Sequence, residues 1–278
     1  MTSLAKIAAF VVAILTAHSA ESFAAESFAT PVEIETPLAS AHPLQGYLRR
    51  TNGAGLSPAV VLLHSCNGNS QRLDERWGKQ IASWGYIVLT VDSFGPRGIT
   101  SCADRIPDDL ATDAYRALNF LVRDPSVDPA RVAALGFARG GRVALTSVEH
   151  GHMEQTSPNK FRAAVAFYPS CIGLRGKMTV PTLILIGELD DWTSANECRN
   201  MVDGRDDYGV SRQKGEGLPI KLIVYPGTYH AFDAPNLKTP RALLGHHLEF
   251  NQSATDQSIS AVREFLEVTI GDKKEQVR

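Results

Sequence analysis

Residues 136–140 have the frame of a nucleophile motif without the nucleophile. They read Gly-Phe-Ala-Arg-Gly, which fits the pattern G-x-S-x-G except that Ala138 stands where a serine or cysteine would attack a carbonyl carbon. The stretch follows an apolar run and precedes residues with helical character, and this motif requires a strand, a sharp turn and a helix in that order. The five residues therefore suggest a reaction at a carbonyl group, but they lack the nucleophile for it, because a methyl group cannot attack a carbonyl carbon.

Two polar side chains further along the chain could complete a nucleophile–histidine–carboxylate triad. Asp190 and His230 each come shortly after an apolar run. A histidine can take a proton from a nucleophile and return it to the leaving group, and a carboxylate fixes its tautomer and stabilises the imidazolium. Singly, such an aspartate is usually a turn residue, but the order of elbow, acid and base is that of known triads. Asp191 competes for the acid position, and Asp190 is favoured because it lies three residues after Gly187.

Backbone amides would have to stabilise the oxyanion that forms in such a reaction. One donor would be the amide of Arg139, the residue after the elbow position. The other would come from the loop at residues 64–68, where the Cys66 amide is the candidate. His64 is expected to position this loop rather than to take part in the chemistry.

The candidate residues follow apolar runs that alternate with segments of helical spacing. Continuous apolar runs, such as residues 59–63 and 86–91, are typical of strands buried on both faces. Further strands are predicted at 32–35, 44–48, 131–135, 163–168, 182–186 and 220–225, and helices at 71–84, 110–122, 142–149, 195–208 and 258–268. This alternation predicts a single α/β domain with a mostly parallel central sheet and helices on both faces. In such sheets functional groups gather beyond the carboxyl ends of the strands, where all three candidates fall.

Composition fits an ordinary globular chain. The 278 residues are 44% hydrophobic and carry a formal net charge of −2. That balance gives no electrostatic reason to expect nucleic acid or a membrane surface as a partner. The oligomeric state is not indicated by the sequence.

The N-terminus has the pattern of an export signal. Lys6 precedes an apolar stretch at residues 7–15, which is too short to span a bilayer, and small residues follow it. We expect cleavage after Ala24. Residues 1–24 are then a signal peptide, and residues 25–278 form the secreted or periplasmic domain.

Export favours disulfides among the four cysteines, for which three connectivities are possible. The pairs Cys66–Cys102 and Cys171–Cys198 are favoured because the members of each pair follow successive predicted strands. If those strands are neighbours, each pair meets at one end of the sheet. A metal site is not predicted, since no C-x-x-C spacing occurs.

Taken together, these motifs resemble the dienelactone hydrolase family of α/β-hydrolases, and most closely its secreted branch with four cysteines. The matching segments are residues 61–68, 92–98, 136–140, 167–169, 187–193 and 225–232, and the resemblance extends over about residues 32–266. It implies the α/β-hydrolase fold and hydrolysis of small carboxylic esters or lactones without a metal or organic cofactor. Asp190 and His230 match the family's acid and base. Ala138 departs from the family's cysteine or serine, and Ser65 from its usual glycine.

Three interpretations of Ala138 stay open. The chain is an engineered nucleophile-to-alanine variant, or a natural pseudoenzyme that binds a ligand in the old pocket, or an enzyme with a shifted mechanism. In the third case His230 activates water directly, or Ser65 or Cys66 substitutes as nucleophile.

Four side chains are candidate walls of the substrate pocket: Arg97, Tyr168, Trp192 and Phe232. Arg97 and Arg139 could attract a substrate carboxylate, but for Arg97 the favoured interpretation is that it only satisfies carbonyl groups of its own loop. The substrate itself is not indicated by the sequence.

Overall fold

The computed structural model describes residues 28–35, 44–51, 55–101, 103–104, 107, 110–205 and 216–271. Within these residues, eight strands form one sheet: β1 Ala29–Ile34, β2 Leu44–Arg49, β3 Ser57–Leu63, β4 Ile87–Asp92, β5 Val127–Phe137, β6 Ala163–Phe167, β7 Thr182–Gly187 and β8 Ile220–Tyr225. The α-helices are α1 Ser70–Leu73, α2 Lys79–Ala82, α3 Ala111–Leu121, α4 Arg139–Val148, α5 His152–Thr156, α6 Ala195–Asp203 and α7 Gln252–Thr269. The predicted signal peptide at residues 1–24 lies outside the described residues.

The spatial order of the strands is β1-β2-β4-β3-β5-β6-β7-β8. The pairs β1–β2 and β2–β4 are antiparallel, and from β4 to β8 every neighbouring pair is parallel. This confirms the predicted mostly parallel α/β sheet. The carboxyl ends of β5, β6, β7 and β8 therefore lie side by side, and the loops that leave them share one edge of the sheet.

Helices cover both faces of the sheet because the chain changes direction at its centre. The connection from β3 to β4 runs one way across the sheet, and the connections from β4 to β5 and from β5 to β6 run the other way. Since crossovers between parallel strands are right-handed, opposite directions put their helices on opposite faces. The segment with α1 and α2 lies on one face, and α3 and α4 lie on the other. The central strands are accordingly buried on both sides.

The helix predicted at residues 71–84 is interrupted. Asp74–Gly78 form a π-helical turn between α1 and α2, so the segment is not a single regular α-helix. Gly78 lies against the side chain of Asp74, and a Cβ atom there would stand 2.5 Å from Oδ1 of that carboxylate. The spacing of apolar residues could not show this, because one extra residue in one turn barely disturbs a helical pattern.

A short hairpin, β9 Arg241–Leu243 paired with β10 His246–Leu248, was not predicted. Strands of three residues are too short to show an alternating pattern. The tight turn between them has positive φ at both central residues, 52° at Leu244 and 87° at Gly245, as two-residue hairpin turns of the favoured type require. A bridge between His230 and Leu248 attaches the hairpin to the loop after β8.

The disulfide between Cys171 and Cys198 is confirmed, and it joins the loop after β6 to α6. Cys66 is also disulfide-bonded. Its predicted partner, Cys102, lies outside the described residues, so that pairing stays a prediction.

Candidate active site

The elbow keeps its geometry although it has no nucleophile. Ala138 joins the end of β5 to the start of α4 with φ 49° and ψ −110°, and a non-glycine residue rarely adopts such a conformation. A Cβ atom on Gly136 would stand 2.0 Å from the carbonyl oxygen of Gly140, and one on Gly140 would stand 2.2 Å from that of Leu63. Close packing of the backbone therefore requires both glycines. Helix α4 begins at Arg139, directly after the elbow and three residues before the predicted start.

Asp190 and His230 are in direct contact. Nδ1 of His230 lies 2.8 Å from Oδ2 of Asp190, and the two side chains are almost completely buried. The other carboxylate oxygen, Oδ1, accepts the backbone amides of Trp192 and Thr193 at 3.0 and 2.8 Å. An ionised Asp190 requires Nδ1 of His230 to carry the proton, which leaves Nε2 free to accept one.

The competing carboxylate, Asp191, points elsewhere. Its side chain is about half exposed and accepts the backbone amide of His247 in the hairpin at 3.1 Å. Nδ1 of His246 also lies 3.7 Å from it. Asp191 therefore fastens the β9–β10 hairpin to the loop after β7, and the geometry favours Asp190 as the partner of His230.

His64 holds the loop after β3. Its Nδ1 donates to the carbonyl of Ser65 at 2.8 Å, and its Nε2 accepts the amide of Ser93 at 3.1 Å. The ring packs edge-on against Phe94 at 4.5 Å. Burial lowers the pKa of His64 below its usual value, so the ring is neutral and both of its nitrogens are occupied by backbone groups.

Arg139 contributes the first amide of α4. The first four amides of an α-helix have no partner within it, and they form the positive end of the helix dipole. The side chain of Arg139 lines a small cavity beside the elbow, together with Leu63, His64 and Phe94. The loop after β3, which includes Cys66, thus lies next to the N-terminus of α4. Elbow, adjacent loop, acid and base lie together at the carboxyl edge of the sheet, where developing charge on a carbonyl oxygen would meet fixed dipoles.

The sequence profile of the dienelactone hydrolase family matches residues 44–269. The chain belongs to the dienelactone hydrolase family. The identity with solved structures of similar fold is below 20% in the three cases compared below, so these show the shared fold alone.

The crystal structure of a protein described as a putative dienelactone hydrolase, from Klebsiella pneumoniae, superposes on this chain with a TM-score of 0.66. The two sequences are 17% identical, and the superposition covers 86% of this chain and 98% of the other. Esterase 2 of Thermogutta terrifontis, phosphoramylated by tabun, has a TM-score of 0.64 at 16% identity, with coverages of 86% and 94%. The dienelactone hydrolase-like promiscuous phosphotriesterase P91 from metagenomic libraries has a TM-score of 0.62 at 19% identity, with coverages of 87% and 99%.

One curated relative is acylamino-acid-releasing enzyme 1 of rice, which is 25% identical over 231 residues. The aligned region is 64% of this chain and 28% of the rice enzyme, so the chain spans less than a third of that relative's length.

Two of the four candidate wall residues, Tyr168 and Trp192, lie against His230. The ring of Tyr168 packs edge-on against the imidazole with centroids 4.6 Å apart, and that of Trp192 lies tilted at 5.2 Å. Trp192 also stacks on His246 of the hairpin at 5.0 Å. The hairpin and the acid loop therefore form one rim beside the base.

The other two candidates, Arg97 and Phe232, are held by other contacts. The guanidinium of Arg97 binds both carboxylate oxygens of Asp113, at 2.6 and 2.9 Å, and the carbonyl of Ser93 at 2.7 Å. This supports the alternative in which Arg97 serves its own surroundings. Phe232 was wrongly predicted as a wall residue, because it has no exposed surface and packs in the core against Tyr168 and Tyr225.

A buried carboxylate beside the base was not predicted. Asp233, three residues after His230, is almost fully buried and accepts the hydroxyl of Tyr168 at 2.7 Å. Its other oxygen accepts the indole N–H of Trp77 at 2.7 Å and lies 2.8 Å from a guanidinium nitrogen of Arg76. The available signal was a charged residue within an otherwise apolar stretch next to a candidate catalytic histidine. Its partners were not readable, because Trp77 is 156 residues away in sequence.

Proposed function

We propose that this chain is a hydrolase of small carboxylic esters or lactones whose nucleophile position is occupied by Ala138, so that it turns over substrate very slowly. The observation that carries the proposal is the buried contact of 2.8 Å between His230 and Asp190 at the same sheet edge as an intact elbow frame. Membership of the dienelactone hydrolase family supports the reaction class.

With a hydroxyl or thiol at position 138, the reaction would proceed in two halves. The nucleophile attacks the ester carbonyl while Nε2 of His230 takes its proton, and the amides of Arg139 and Cys66 stabilise the oxyanion. The imidazolium returns the proton to the leaving alkoxide, which departs as the alcohol. Water then attacks the acyl-enzyme with His230 again as the base, and the acid product and the free nucleophile are released.

Without a nucleophile, a triad enzyme typically loses about 10⁶ in turnover, roughly 8 kcal/mol of barrier. Oxyanion stabilisation and substrate binding alone retain about 10³–10⁴ over the uncatalysed reaction in water. The chain with Ala138 is therefore expected to bind esters and to hydrolyse them about 10⁶ more slowly than the same chain with a nucleophile, a rate still above that of the reaction in water.

The test compares the chain with its Ala138→Ser and Ala138→Cys variants on a panel of small aryl esters and lactones. At least one variant is expected to raise turnover by about 10³ or more. Ala138→Gly is the matched control, because it alters the same strained residue without adding a nucleophile and should leave turnover unchanged. If neither serine nor cysteine raises turnover, the hydrolase proposal is wrong.

The methyl group of Ala138 itself favours a second candidate, a secreted protein that keeps the hydrolase fold and binds a small ligand without chemistry. In that case the Ala138→Ser and Ala138→Cys variants stay inactive while the parent chain still binds members of the ester panel. The turnover of the Ala138→Ser and Ala138→Cys variants separates the two functions, and calorimetric titration of the parent with slowly hydrolysed esters tests the binding that both require.

We also propose that the chain is exported to the periplasm or the exterior. The disulfide between Cys171 and Cys198 supports an oxidising compartment. Among the described helices, none has the length and apolar character needed to cross a bilayer. Expression with the native N-terminus, followed by N-terminal sequencing of the exported protein, should give a first residue of Ala25, and retention of Met1 would contradict the proposal.

A further inference from the structure

We propose that Asp233 is a positioning residue that, through Tyr168, holds the acid loop and the base loop in their working orientation. Its importance for turnover rests on the proposed function, whereas its control over the orientation of His230 does not.

Asp233 is 1% exposed, and a buried carboxylate is tolerated only when it is paired and fully hydrogen-bonded. Oδ1 accepts the hydroxyl of Tyr168, and Oδ2 accepts the indole of Trp77 and pairs with Arg76. Arg76 also donates to the backbone carbonyl of Asp233. Both the side chain and the main chain of Asp233 are therefore fixed, and with them the loop that begins at His230.

Two of the side chains that bind Asp233 come from the π-helical turn. Arg76 and Trp77 are adjacent in sequence, yet both reach the same carboxylate. In a regular α-helix, adjacent side chains point about 100° apart and do not face a common partner. The wider turn of a π-helix reduces that angle, which gives this interruption of the helix a specific use.

The same turn is fastened to the sheet. The carboxylate of Asp74, the first residue of the turn, accepts hydrogen bonds of 2.6–3.1 Å from the guanidinium of Arg49 on β2. It also accepts the hydroxyl of Thr90 on β4 at 3.2 Å. Asp74 and Arg49 are both buried. The platform that holds Asp233 is thereby attached to two strands of the sheet.

Tyr168 connects this platform to both catalytic loops. Its ring lies against His230, and its carbonyl accepts the hydroxyl of Thr193 at 3.0 Å. That hydroxyl lies 3.0 Å from Oδ2 of Asp190 and 3.2 Å from Nδ1 of His230. Burial, and after it the charge of Asp233, raise the pKa of Tyr168 well above its usual value, so its hydroxyl stays a donor.

Backbone strain marks the same place. Tyr168 has φ 36°, and Ala231, between His230 and Phe232, has φ 56°. Such conformations persist only where the surroundings over-determine them, and they cluster at functional sites. The bond from Tyr168 to Asp233 therefore joins one strained residue to the loop that contains the other.

The first experiment needs no nucleophile. The Nδ1 proton of His230, bonded to Asp190, is followed by proton NMR in the parent chain and in Tyr168→Phe and Asp233→Asn. We expect the variants to shift this resonance and to exchange it with solvent at least about fivefold faster, because the loops open more often. Tyr225→Phe is the matched control, since the hydroxyl of this buried tyrosine has no hydrogen-bond partner within the described residues and its ring also contacts Phe232.

An unchanged resonance in Tyr168→Phe would overturn the proposal, and so would an equal change in Tyr225→Phe. Tyr168→Phe removes a single oxygen atom, so it decides the matter if Asp233→Asn fails to fold. Urea unfolding of each variant establishes that the folded protein is being observed.

The second experiment repeats the variants in the Ala138→Ser background. We expect kcat to fall by about 10–100-fold while KM changes by less than about threefold. A catalytic group that is misplaced by about 1 Å typically lowers the rate by about this factor. The double variant should lose no more than the worse single variant, because both variants act through the same contact between Tyr168 and Asp233. An active Ala138→Ser chain whose kcat is unaffected would refute the positioning role. A changed resonance with inactive Ala138→Ser and Ala138→Cys chains would refute the proposed function and leave the positioning intact.

Discussion

The two sides of the site are held by different kinds of interaction. On the elbow side, the geometry comes from the backbone, because glycines at positions 136 and 140 let main-chain atoms pack within distances that no Cβ atom allows. On the acid–base side, it comes from buried side chains, with Asp190, His230 and Asp233 joined by hydrogen bonds of 2.7–2.8 Å to their partners.

This difference explains how the elbow can be intact around an alanine. A backbone turn does not depend on the side chain at its apex, so a nucleophile can be subtracted without disturbing the frame. Removal of one polar group on the acid–base side leaves its partners buried and unpaired. This costs more stability than a change of the side chain at the elbow, and it affects several residues. The elbow side should therefore be repairable at one residue, and the acid–base side should not.

The largest effect should come from Asp190→Asn in the active Ala138→Ser or Ala138→Cys chain. An amide at this position favours the wrong imidazole tautomer, and we expect turnover to fall by about 10⁴, as in triads generally. The measurement is kcat on the best aryl ester. Asp191→Asn is the matched control and should retain activity within about threefold. Equal losses in the two variants would show that the acid has been misassigned.

Gly140→Ala should be the most damaging single change on the elbow side. The added methyl would meet carbonyl oxygens of Leu63 and His64 at 2.2 and 2.6 Å. We expect the free energy of unfolding to drop by about 3 kcal/mol or more, as measured by urea denaturation. Gly151→Ala is the control, because the nearest atom to its new methyl would be 3.7 Å away. A small effect at Gly140 would mean that the elbow can relax, contrary to the view of a rigid backbone frame.

Removal of the disulfide should loosen the acid–base side at a comparable cost. The bond closes a loop with a sequence separation of 27 residues, for which chain entropy predicts a stabilisation of about 3–4 kcal/mol. The Cys171→Ser, Cys198→Ser double variant should lose this amount in urea unfolding. A cost well below about 1 kcal/mol would show that the loop after β6 is held by its other contacts, such as those of Tyr168.

The smallest effect concerns the two arginines near the site. In the active background, Arg97→Met should change the preference for anionic over neutral esters by less than about twofold, because its guanidinium is bound to Asp113. Within the part of the chain that the structure describes, the Arg139 guanidinium has one long hydrogen bond, of 3.5 Å to the carbonyl of Pro107, and Arg139→Met should reduce that preference by about tenfold. The reverse order of effects would return Arg97 to the substrate pocket.

Much of the fold could be predicted because each central strand is a continuous apolar run, which only a sheet covered on both faces accommodates. The prediction failed where the determining interaction is not local. The π-helical turn at Asp74–Gly78 follows from partners on β2, β4 and the loop after β8. Phe232 was placed in the pocket because it is close to His230 in sequence, whereas the turn at Ala231 directs its ring into the core.

The sequence alone determined the family, the order of the strands along the chain and the presence of an elbow frame without a nucleophile. These depend on residue type and spacing, which are local properties. Only the tertiary structure decided that Asp190 rather than Asp191 contacts His230, that Arg97 is committed to Asp113, and that Asp233 binds Tyr168, whose ring lies against the base. Those outcomes depend on which polar groups meet in the folded chain. Arg97 and Asp113 are 16 positions apart in sequence, Asp190 and His230 are 40 apart, and Trp77 and Asp233 are 156 apart.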